Sequence, residues 1–158
     1  MNATYEGTTE QAKEILHYHA VLRRGLEERA GALGAAVEHG TASEEPLTAL
    51  QEYLAGEVLP HAEWEERTLY RAAVSQARGS QLVGTLTTEH RELSGLVGRL
   101  QSPTDGTTAA VTAESIATLF ADHVAKENDL LPPALIDSGV DLAALLAGTD
   151  SAPTREHP

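Results

Sequence analysis

Four apolar stripes of helical period run through this chain, and each carries one histidine on it: His19, His61, His90 and His123. The first stripe reads Ile15, His19, Leu22, Leu26, Leu33. The second reads Leu47, Leu50, Leu54, Val58, His61, Glu65, Leu69. The third is Leu82, Leu86, His90, Leu93, Val97, Leu100, and the fourth Thr112, Ile116, Leu119, His123, Glu127, Leu130. A chain so patterned folds as amphipathic helices that bury one face, so it must also bury these imidazoles.

The spacing predicts that they meet. In an antiparallel helix pair, residues equidistant from the turn lie at one height. The midpoint between His19 and the His61/Glu65 pair falls near Gly40-Thr41. The next falls at Gln76 to Gly79, and the one from His90 to His123/Glu127 near Asp105-Gly106. All three lie on or beside turn signals. The expected fold is therefore all-α, an up-down antiparallel four-helix bundle, with a short C-terminal helix at Asp141 to Leu146.

Composition agrees. The chain has 158 residues, 41% hydrophobic but only 4% aromatic, which favours an Ala/Leu-packed helical core over a sheet. A net charge of −13 argues against nucleic acid or an anionic membrane surface as partner. Cysteine is absent, which excludes disulfides, thiolate metal sites and cysteine nucleophiles. The N-terminus lacks the basic and apolar regions of a signal peptide, and no apolar run reaches transmembrane length. The expected location is cytoplasmic.

The first helix is expected from a cap at Thr8 or Thr9 to about His39-Gly40. The second starts at Ser43, with Pro60 marking a kink or break. The third runs from about Gly79-Ser80 to Leu100. The fourth runs from about Thr107 to Leu131, where Pro132-Pro133 ends it. Residues 1–147 would form one bundle and 148–158 a flexible tail.

HxxxE occurs twice, as His61-Ala-Glu-Trp-Glu65 and His123-Val-Ala-Lys-Glu127. Alone, such a pair reads as a helix-surface contact. On an apolar stripe it reads differently, because a buried carboxylate is costly unless paired or ligating a metal. Six N/O donors at one level, His19, His61, Glu65, His90, His123 and Glu127, describe a two-metal site. His17 competes with His19 but lies off the stripe. His39 reads as a helix C-terminal residue facing the dipole, and His157 lies in the tail. Glu63 and Glu66 read as a solvated face. Glu57, one turn before His61, is a candidate outer partner. Tyr18, Tyr53, Tyr70 and Trp64 read first as packing residues, with their reach to the site left open.

The order of one His, then HxxxE, then one His, then HxxxE resembles the hemerythrin-like (HHE cation-binding) family over about residues 10 to 136. EVLPHAEWEERTLY, TEHREL and HVAKENDLLPP carry the resemblance. It implies two non-haem iron ions with an oxo or hydroxo bridge. Glu65 and Glu127 would bridge them, His19 and His61 would bind one, and His90 and His123 the other. Oxygen-carrying members have a further histidine one turn before the third helix's ligand, where this chain has Leu86, and a longer final His-to-carboxylate step. That favours reaction with, or sensing of, O₂, hydrogen peroxide or NO over reversible carriage. Catalase-like peroxide decomposition is the enzymatic version. The alternative is an iron-binding or oxygen/iron-sensing module without turnover, acting through a protein partner that the sequence does not identify.

Overall fold

The computed structural model describes residues 3–74 and 77–147. The expected tail at 148–158, with His157, lies outside them, as does Gln76. The described residues are helical, without strands. Helix α1 is Ala3–Glu38, α2 spans 44–73, α3 is Ala77–Gln101, α4 is Gly106–Asp137 and α5 is Leu142–Ala147. α1 packs on α2, α4 and α5, and α3 packs on α4. This is the expected all-α bundle, closed at one end by the short helix. No helix among the described residues is long and apolar enough to cross a membrane.

The ends follow from local chemistry. α1 stops where Gly40 adopts φ 65°, a left-handed value that suits glycine. Asp105 caps α4 by accepting from Thr108 N at 2.6 Å, and Asp141 caps α5 by accepting from Ala144 N at 3.1 Å. α1 begins before Thr8-Thr9, so those residues lie inside the helix and are not its cap.

Two proline expectations need correction. Pro60 does not break α2. The helix widens into a π-turn at Leu54–Val58, where Leu59 N–H reaches back to Leu54 O, and the proline follows in the next turn. Pro132-Pro133 does not end α4, which continues to Asp137. Leu131 and Leu135 are buried on either side of the prolines, and their packing holds the extension. Leu130, expected on the stripe, is 51% exposed; after Glu127 the buried positions advance by four, to 131 and 135.

The core is in two parts. The larger gathers Leu22, Leu26, Leu54, Val97, Ile116 and Phe120 with their neighbours. The smaller gathers Ile15, Trp64, Leu69, Tyr70, Leu86 and Leu135 with theirs. On α1, α2 and α3 the histidine stands where one cluster gives way to the other, and on α4 the change falls at Glu127, between Val124 and Leu131. The buried polar layer therefore crosses the bundle between two apolar masses.

Candidate metal centre

His19, His61, Glu65, His90, His123 and Glu127 are all buried, at 5% exposure or less. They form two groups that could each hold a cation: His19, His61 and Glu65, and Glu65, His90, His123 and Glu127. Glu65 belongs to both, whereas Glu127 belongs to the second. His17 is exposed and takes no part.

The imidazoles face one another through Nε2. His19 and His61 approach to 3.1 Å, and His90 and His123 to 2.9 Å. Glu65 Oε2 lies 3.4 Å from His19 Nε2, and its Oε1 lies 3.2 Å from His61 Nε2 and 3.8 Å from His90 Nε2. Glu127 Oε1 lies 2.9 Å from His123 Nε2.

The outer faces fix the tautomers. His19 Nδ1 donates to Asn128 Oδ1 at 2.7 Å, His90 Nδ1 to Glu66 Oε1 at 2.9 Å, and His123 Nδ1 to Glu89 Oε2 at 2.6 Å. An imidazole that spends its N–H outward turns a lone pair inward. His90 and His123 thus oppose lone pairs, and Glu127 Oε1 and Glu65 Oε2 find no aligned donor. Such an arrangement is repulsive unless a positive centre lies among the donors. The residues fit a metal ion on this ground. His61 Nδ1 alone of the four has no hydrogen-bond partner among the described residues.

Left to themselves, the groups show strong mutual influence. Burial opposes the His19 cation, but the Glu65 and Glu127 carboxylates outweigh it and raise its pKa to about 9. Burial and the facing Glu65 charge push Glu127 up to about 8. Burial also opposes charge on Glu65, yet His61 and His19 beside it hold it well below the usual carboxylate range. His90 is lowered, chiefly by burial. His123 is raised because Glu127 and Glu89 overcome its burial.

Tyr70 is the residue that stripe reasoning undervalued. Its hydroxyl donates to Glu127 Oε2 at 2.8 Å and lies 3.2 Å and 3.3 Å from the Nε2 atoms of His90 and His123. In a regular helix a residue five past Glu65 sits about 140° away from it. A second π-turn, Glu66–Tyr70, brings residues five apart onto one face. Nothing in a 3.6-residue period reveals this. Glu66, expected on the solvated face, is the acceptor behind His90. Glu57 accepts from the Tyr18 hydroxyl at 3.5 Å, and the Tyr18 ring packs on His61. Tyr53 donates to Leu22 O, and Trp64 packs against His61. Leu86 is fully buried in the smaller apolar cluster, so no donor stands at the position where carriers have their extra histidine.

Comparison with protein families matches residues 11–135 to the hemerythrin HHE cation binding domain. The chain belongs to this family. No curated protein and no solved structure matches it. The HHE match and the buried His/Glu layer together make this a cation-binding helical module.

Proposed function

We propose that this HHE domain holds two non-haem iron ions and reacts with small oxidants: O₂, hydrogen peroxide or NO. The observation that carries the reading is the set of inward lone pairs locked by outward hydrogen bonds, with Glu65 shared between the two groups. His19, His61 and Glu65 would hold one ion, and His90, His123, Glu127 and Glu65 the other. A mixed imidazole and carboxylate set suits iron. Bound there, iron would supply redox chemistry toward such oxidants. The chain's own part is orientation and exclusion of water. Asn128, Glu66 and Glu89 hold three imidazoles in place, and the two apolar clusters keep the layer dry. Tyr70 keeps a proton at Glu127 Oε2, within reach of whatever binds beside His90 and His123. Leu86 supplies no donor, which leaves coordination positions open and favours reaction over reversible carriage.

Elemental analysis and absorption spectra test this. About two irons per chain are expected, falling sharply in His61→Ala and Glu127→Ala and unchanged in His39→Ala, whose residue is exposed. The reduced protein should oxidise in air and stay oxidised under argon. An oxygenated spectrum that reverts on purging would show a carrier and sink the proposal.

A further inference from the structure

We infer that small solutes reach the polar layer through the seam between α2 and α3, past the Glu66 side chain, and that this carboxylate favours neutral solutes over anions. The ligand class rests on the function proposed above, whereas the path does not.

The four imidazoles are covered unequally. Behind His19 stands Asn128, at 2.7 Å. Over His61 lie the Tyr18 and Trp64 rings, with centroids at 5.1 and 5.8 Å. Behind His123 stands Glu89, whose side chain is only 14% exposed and is itself tied to Lys126. The Tyr70 ring stacks on one face of His90, with centroids at 5.2 Å, and behind its Nδ1 stands Glu66, 41% exposed. His90 is also the most exposed of the six site residues, at 5%.

Two surface clefts open on either side of Glu66. One, of about 310 Å³, is lined by Glu66, Glu63, Arg91 and Ser94 and ends on His90. The other, of about 290 Å³, is lined by Glu66, Arg71 and Thr87 and ends on Tyr70. Both floors are groups of the His90–His123 half of the site. The Glu66 side chain lines both clefts, and its rotation about its own bonds would widen the way from them to that half. Exposed side chains make such rotations within nanoseconds. At the His90 mouth, Glu63 and Arg91 offset each other, so Glu66 sets the sign of the local field. A charge at the neck of a low-dielectric cleft changes the passage of charged solutes far more than that of neutral ones.

The test needs no metal. The chelator-treated full chain, with helicity verified by circular dichroism, is alkylated with iodoacetamide or with iodoacetate, a pair that differs in charge. The chain contains no cysteine to compete. Peptide mass spectrometry then gives the rate at each histidine. Among the four buried histidines, His90 should react first. Ser94→Trp, at the cleft mouth, should slow both reagents at His90. Ala55→Trp, in a cleft of the same seam that touches no site residue, should not. Glu66→Gln keeps an acceptor for His90 Nδ1 and removes the charge, so the amide-to-acetate rate ratio at His90 should fall by about tenfold. If another buried histidine reacts first, all four react at one rate, or Ser94→Trp leaves His90 unaffected, the path is wrong. An unchanged ratio in Glu66→Gln would remove the charge preference. Metal content, measured separately, decides the proposed function and leaves these outcomes untouched.

Discussion

What stands behind each imidazole makes the two halves of the layer unequal. His19 leans on a neutral amide and His61 on no acceptor among the described residues, whereas His90 and His123 each lean on a carboxylate. A carboxylate behind a ligating histidine raises its donor strength, and losing such a partner typically costs about 10–100-fold in metal affinity. The His90–His123 half also has Glu127 and the Tyr70 hydroxyl. Titration of metal-free protein with cobalt(II) should therefore show two steps, the first about tenfold tighter or more. His90→Ala should abolish the tight step, and His19→Ala only the weak one. Two equal steps in the unaltered protein would contradict the inequality. Tyr70→Phe leaves Glu127 Oε2 without its donor in a dry core. It should lower the stability of the metal-free protein by about 1–3 kcal/mol in urea unfolding; an unchanged midpoint would mean that the hydroxyl contributes nothing there.

At the level of elements, the positions that obey a plain helical period were legible in the sequence, and those that depend on departures from it were not. His19, His61, Glu65, His90, His123 and Glu127 fall on regular stripes, and all six are buried together. Tyr70 and Glu66 reach the layer from the π-turn Glu66–Tyr70, whose wider winding leaves no mark in a stripe of leucines. The prolines misled for a related reason. Pro60 follows a π-turn that absorbs its missing donor, and Pro132-Pro133 is carried through by leucine packing stronger than the local penalty. That packing can be tested. Leu135 is 1% exposed, in the smaller cluster with Ile15, Trp64 and Leu142. Leu135→Ala should cost about 2–5 kcal/mol in chemical denaturation. Metal stoichiometry should stay unchanged, because the layer lies two turns away. A loss of less than half a unit would show that the extension past the prolines is not held by this contact.

For the whole molecule, the layer puts conflicting charges between two apolar cores, and pH sets which cation relieves the conflict. Protons and metal ions compete for the same lone pairs. Reference imidazole values place the loss of metal binding below about pH 6, but the folded protein moves the window upward. His19 has a folded pKa of about 9, above the ordinary imidazole value of 6.5. Its protonation therefore stabilises the metal-free fold fully below pH 6.5, and that contribution is lost as pH rises to about 9. Glu127, raised to about 8, acts in the same direction, since the folded state holds a proton that the unfolded chain has released. The metal-free protein should thus melt progressively lower across this range. The loaded protein has a metal ion in place of those protons and escapes the loss. The gap in melting temperature between loaded and metal-free protein should widen from pH 6.5 to about 9 and then level off. Calorimetry with zinc(II), which has no redox chemistry to confuse the comparison, measures it directly. A gap that stays constant or narrows over that interval would mean that neither His19 nor Glu127 exchanges its proton for the metal.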